Sequence, residues 1–146
     1  LQVATILHDC GKFVSLSNSA ESAYNIIMSS EIIGLTHLER QIVALTVLFN
    51  SIPLCDYGEL DVDITKEDYL TAVKLSAILR LSNALDQSHK QKFKNIKISL
   101  REKKMIISVE SFEDISLEQT LFASKTSYFE NVFSIKPVLR EKKVMM

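Results

Sequence analysis

A mainly α fold with a small C-terminal α+β appendage is what this chain predicts, on three observations. From Ala20 to Leu85 apolar residues recur at three-to-four spacing, the mark of amphipathic helices. From Ile96 the period falls to two, the mark of strands. Only three glycines and two prolines punctuate 146 residues, too few for an architecture built on turns. The change of period divides the chain into a helical domain over residues 1–90 and an α+β subdomain over 91–146.

Leu1 to Leu7 is apolar and helix-like from its first residue, with no capping side chain ahead of it. The expectation is a helix that starts upstream, in a domain truncated at its N-terminus. Ala20, Ala23 and Ile27, with Tyr24 and Met28, lie on one face of the next helix, which Gly34 ends. Thr36 and Glu39 form a capping box for a helix whose stripe is Leu38, Ile42, Leu45 and Phe49. Residues 51–64, with Pro53, Gly58 and a cluster of acids, predict a loop. Thr65 then caps the longest helix, with Asp68 in its first turn and Leu70, Val73, Ala77, Leu81 and Leu85 along one face to about Ser88.

In the appendage, Ile96, Ile98 and Leu100 alternate with Lys97, Ser99 and Arg101, and Met105, Ile107 and Val109 alternate again after a turn at Glu102-Lys103-Lys104. This predicts a hairpin. Ser116 with Gln119 opens a further helix carrying Leu117, Leu121, Phe122, Tyr128, Phe129, Val132 and Phe133, an aromatic set typical of core or interface. Pro137-Val138-Leu139 predicts an edge strand with the proline at its start.

Net charge is −1, but its distribution is lopsided. Residues 1–68 hold three Lys/Arg against ten Asp/Glu, and residues 69–146 hold fourteen against eight. The densest basic stretch is Lys90, Lys92, Lys94, Lys97, Arg101, Lys103 and Lys104, broken only by Glu102. Such a field attracts a polyanion; the plainer reading is a solvated face. Cys10 and Cys55 form no CxxC pair and bracket no histidines, which fits a reducing compartment and argues against a disulfide framework or zinc ribbon. No apolar run reaches the roughly 18 residues of a membrane span. The expected setting is cytoplasmic, with no membrane partner.

The chemistry-bearing feature is Leu7-His8-Asp9-Cys10-Gly11-Lys12, where an imidazole and a carboxylate stand side by side. Such a pair can hold a divalent metal that activates water against a phosphate ester, provided three or four donors converge. As an alternative, His8 donates to a backbone carbonyl and Asp9 caps a turn before Gly11. His37 and His89 have no partner at ligand spacing, Asp86 reads as a carboxylate near a helix end, and Cys10 as a small buried hydrophobe.

Taken in order, Leu7 to Phe13, Ser22-Ala23-Tyr24-Asn25-Ile26-Ile27, Ile33 to Leu45 and Leu79 to His89 resemble the C-terminal HD-type helical domain of the exopolyphosphatase and guanosine pentaphosphate phosphatase family. Phe129-Glu130-Asn131-Val132-Phe133 before Lys136-Pro137-Val138-Leu139 is more weakly similar to that family's C-terminal end. The resemblance implies two actin-like lobes upstream of Leu1 that hold the catalytic acids and phosphate-binding loops, and any divalent metal. Hydrolysis of the terminal phosphate of polyphosphate or of the pentaphosphate alarmone is then implied for the parent protein.

Departures from the family pattern shape the expectation for this domain. Asn83 stands where the long helix usually carries an aspartate, Glu21 where a histidine usually precedes the Ser-x-Tyr segment, and Asn50 where a histidine often follows an aromatic. These changes leave His8 and Asp9 as a vestigial metal pair, with no cofactor expected here. The expected role is a non-catalytic accessory domain that binds polyphosphate or a similar polyanion through Lys90 to Lys104 and contacts its own upstream lobes and a second copy. Two alternatives stay open: an HD phosphohydrolase acting on nucleotide phosphates through His8 and Asp9, and a purely structural dimerisation domain using the helix from Leu117 to Phe133.

Overall fold

The computed structural model describes residues 1–142; residues 143–146 of the predicted subdomain lie outside them. The helices are α1 (Gln2–Leu7), α2 (Ser19–Ser29), α3 (His37–Ser51), α4 (Lys66–Leu85) and α5 (Ser116–Phe133). The strands are β1 (Lys94–Arg101), β2 (Lys104–Glu110) and β3 (Lys136–Lys142). The fold is mainly α with a C-terminal α+β appendage, as the periodicity predicts. Backbone proximity groups the chain into two compact units, Leu1–Leu79 and the remainder from Arg80.

In the first unit the core is Ala4, Ala23, Ile27, Val43, Ala44, Val47 and Leu79, flanked by Val3, Leu7, Cys10, Tyr24, Met28, Ile32 and Leu35. α3 is its centre. The capping box forms as predicted: Glu39 N–H donates to Thr36 Oγ1 at 3.2 Å and Thr36 N–H donates to Glu39 Oε2 at 2.8 Å. From Val43 to Val47 five successive residues are buried, so the helix is enclosed on every side. The predicted single stripe understates this, and it misplaces Leu38, which is exposed in the first turn before the helix enters the core.

Gly11 sits in a 3₁₀ turn (Cys10–Phe13) that lies against α2. A Cβ there would overlap the Ser19 carbonyl oxygen and come within 2.5 Å of the Ala23 nitrogen. Close backbone approach therefore requires glycine, because no side chain can give way. Gly34, at φ 91°, supplies the left-handed break between α2 and α3.

The acidic loop before α4 is pinned by tyrosines. Tyr69 donates to the Cys55 carbonyl at 2.7 Å and meets Phe49 edge-on with centroids 6.0 Å apart; Tyr57 donates to the Ile64 carbonyl at 2.8 Å. Thr65 caps α4 by accepting from Asp68 N–H at 3.2 Å. Engagement of Tyr69 sets the buried face at Tyr69, Ala72, Val73, Ser76 and Ala77, leaving the predicted Leu70 exposed.

In the second unit, β1, β2 and β3 form one sheet in that order, β1–β2 antiparallel and β2–β3 parallel. The hairpin turn is Glu102-Lys103, shorter than predicted, because Arg101 and Lys104 already pair. α5 is the crossover that a parallel pair needs. Its N-terminus is held by Asp114, whose carboxylate accepts from Ser116 N at 3.1 Å and Ser116 Oγ at 2.6 Å; Ser116 is thus the first helical residue rather than the cap. Phe122 and Phe129 are buried and Phe129 stacks on Phe133 with centroids 4.6 Å apart, while Leu117 is exposed. Arg80 lies over the Tyr128 ring at 4.3 Å. Phe122 and Phe129 are core, and Tyr128 and Phe133 are half-buried beside them.

Candidate functional site

α1 ends at Leu7 with His8 as its C-cap, and the 3₁₀ turn follows at Cys10. His8 Nδ1 lies 2.7 Å from the Thr5 carbonyl oxygen. A carbonyl only accepts, so Nδ1 carries a proton, and Nε2 lies 3.6 Å from Asp9 Oδ1. Asp9 Oδ2 pairs with Lys12 Nζ at 2.8 Å. The imidazole thus does what its alternative reading expects, whereas the carboxylate caps nothing; it is the N-cap residue of the turn by position, with no side-chain cap bond. Cys10 packs against the core, and burial, with the nearby Asp9 charge, pushes its thiol pKa up. A raised pKa makes it a poor nucleophile.

Among the described residues no three His, Cys, Asp or Glu side chains converge as a metal site. A divalent centre needs three or four protein donors, and a lysine ammonium already occupies Asp9, so the residues present do not fit one. Glu21 is exposed on α2, Asn50 is half-buried near the end of α3 and Asn83 is half-buried in α4. His37 Nδ1 accepts from Arg40 Nη2 at 3.1 Å, and Asp86 accepts from the Gln91 N–H at 2.9 Å. Both have local structural work.

The basic stretch divides by environment. Lys92 points inward: its ammonium is 3.1 Å from Glu118 Oε1 and donates to the Asp114 carbonyl at 2.8 Å. Glu118 is 1% exposed and also accepts from Ser88 Oγ at 2.7 Å. The Ser88 hydrogen bond, with Lys92 in support, holds the Glu118 carboxyl below the usual carboxylate range despite its burial. Lys92 therefore ties the segment after α4 to the start of α5. Lys90, Lys94, Lys97, Arg101, Lys103 and Lys104 are exposed, and none is in an ion pair among the described residues.

Pairing register decides which of these share a face. Lys97 pairs with Ser108, Ser99 with Ile106 and Arg101 with Lys104, so Lys97, Arg101 and Lys104 stand on one side of the hairpin. Ile98, Leu100, Met105, Ile107 and Val109 stand on the other. Ile107 and Val109 are buried there, whereas Ile98 and Leu100 on edge strand β1 are exposed. The β3 register adds Lys136 beside Lys104 and Arg140 beside Ser108, both exposed. These two cations were missed in the sequence, where each lies 32 residues from its partner in β2. Their signal was the alternation Lys136, Val138, Arg140, Lys142.

A mainly helical domain with a small α+β appendage, lacking a metal-ligand cluster among its described residues, is the class that fold and surface define. The chain belongs to the Ppx/GppA phosphatase family: that family's domain III matches residues 1–127, which makes this an accessory domain of a Ppx/GppA-family phosphatase. No curated protein matches the chain. The family match stops inside α5, so β3 falls beyond it. No helix among the described residues is long and apolar enough to cross a membrane.

Proposed function

We propose that this domain is non-catalytic and holds a linear phosphate polyanion for catalytic lobes elsewhere in the same protein. The observation that carries the reading is the set of exposed cations on and around the β1–β2 hairpin, Lys90, Lys94, Lys97, Arg101, Lys103 and Lys104, with no ion pair engaging them among the described residues. Uncompensated ammonium and guanidinium groups spaced along a strand suit a repeating anion, because each one neutralised releases a counterion. Lys92 belongs to the structural pair with Glu118 and not to the binding set. The Asp9–Lys12 pair and the lack of further converging donors among the described residues support leaving His8 and Asp9 out of catalysis.

The parent protein, in this reading, is a hydrolase that removes terminal phosphate from polyphosphate or a related pentaphosphate. A domain numbered third in its family also needs surface for its neighbours. Phe13, Val14 and Leu16, exposed after α1, are offered to the other domains of the same protein. The binding test is a titration of the 146-residue chain with inorganic polyphosphate at several salt concentrations. Alanine at Lys94, Lys97 and Arg101 is expected to flatten the slope of log affinity against log salt by about one per cation. Unchanged affinity and slope in the triple variant would sink the assignment.

A further inference from the structure

Lys97, Arg101 and Lys104 are only part of a charged surface that becomes whole when β3 is included. On the face defined by register, Arg101 pairs with Lys104 and Lys104 with Lys136, so three cations form a row across the three strands. Neighbouring strands lie about 4.8 Å apart, which spaces the row over about 10 Å. A second row is Lys97, Ser108 and Arg140. Four residue steps separate the rows along β2, about 13 Å at the usual strand rise. Between them lie Ser99, Ile106 and Val138, none charged.

The face has one acid, Glu110, at its far end beside Lys142, and its carboxylate already accepts from Asn95 Nδ2 at 2.6 Å. Lys97, Arg101, Lys104, Lys136 and Arg140 are all exposed and in no ion pair among the described residues. Five like charges on one small sheet face repel one another, a standing cost that a bound polyanion removes. The face also carries no Phe, Tyr or Trp. Proteins that hold single-stranded nucleic acid stack bases on aromatic side chains, and this face has no such platform.

We infer that β3 completes the phosphate-binding surface, with Lys136 and Arg140 binding the same anion chain as Lys97, Arg101 and Lys104 across the three strands. This rests on the polyanion reading above and adds residues that neither the hairpin sequence nor the family match supplies, since β3 lies beyond residue 127. A phosphate chain crossing from Arg101 to Lys136 and on to Arg140 meets a cation at each turn. An extended inorganic polyphosphate is the ligand whose chemistry asks for charge alone.

The test is a polyphosphate titration over a salt series with wild type, K97Q/R101Q, K136Q/R140Q and the charge-preserving K136R/R140K. Exposed surface positions keep all four folded, which circular dichroism checks. Expected is a roughly tenfold loss of affinity at low salt and a salt slope reduced by about two for each glutamine pair, with the charge-preserving pair near wild type. If K97Q/R101Q weakens binding and K136Q/R140Q does not, β3 is outside the site and the inference falls while the polyanion reading stands. If wild type does not bind at low salt, both fall. Tighter binding of a single-stranded oligonucleotide of equal charge would overturn the choice of a base-free anion.

Discussion

Gly11 follows His8, Asp9 and Cys10 in a motif whose chemistry drew attention to the imidazole and carboxylate, yet the glycine is the position whose role the fold makes plainest. Ser19 and Ala23 backbone atoms occupy the space a Cβ would need. Gly11→Ala is expected to lower stability by roughly 3 kcal/mol, read as a shift in the urea midpoint, because backbone on both sides must move. A loss under about 0.5 kcal/mol, the range of neutral surface changes, would show that the turn relaxes freely. His8 and Asp9 were legible as a pair, and the His8 bond to a backbone carbonyl was one of the readings; the Lys12 ammonium on Asp9 was not, since the two meet only once the turn is formed.

Glu118 gives the residue scale a pH dependence. Its folded carboxyl is held below the ordinary range, chiefly by the Ser88 hydroxyl, so the folded state binds fewer protons than the unfolded state as pH falls. Its contribution is full above the unfolded Glu pKa of about 4.3 and is lost as pH drops through the lower folded value. Removing the carboxylate with Glu118→Ala leaves the half-buried Lys92 ammonium with only the Asp114 carbonyl, at an expected cost of about 1.5–3 kcal/mol at neutral pH. Glu118→Gln should flatten the acid limb of stability against pH. An acid limb identical to wild type would show that the carboxylate is not linked to folding. Nothing in the sequence marked Glu118, because its partners Ser88 and Lys92 are about thirty residues away.

Elements were read best where their local signals and their packing agree. The Thr36–Glu39 box starts α3 where predicted, and the period-two runs became β1 and β2. Leu38 and Leu70 were misread because helical spacing fixes a face and not how deep each turn sits. The hairpin turn carries a local strain that the sequence reading did not identify. Glu102 stands at φ 53°, a left-handed conformation that costs an L residue roughly 1–2 kcal/mol. Glu102→Gly is therefore expected to raise stability by about 0.5–1 kcal/mol in chemical denaturation, after its entropy cost in the unfolded chain. A destabilised Glu102→Gly would mean that the Glu side chain holds the turn by itself.

For the molecule as a whole, the helical class and its α+β appendage were legible because hydrophobic period is a local property. The assembled charged face was not, because strand order and register bring Lys136 beside Lys104 and Arg140 beside Ser108 only in three dimensions. The −7 and +6 division of charge between residues 1–68 and 69–146 foreshadowed a cationic surface in the second, and the fold leaves Lys90, Lys94, Lys97, Arg101, Lys103 and Lys104 exposed there while withdrawing Lys92 to Glu118. The measurement that bears most directly on the proposed role is a titration of the chain with inorganic polyphosphate from about 50 to 200 mM salt, with orthophosphate release followed in the same samples. The account predicts binding that weakens steeply with salt and no phosphate released, with or without added divalent metal; salt-independent binding, or phosphate released by this chain, would contradict it.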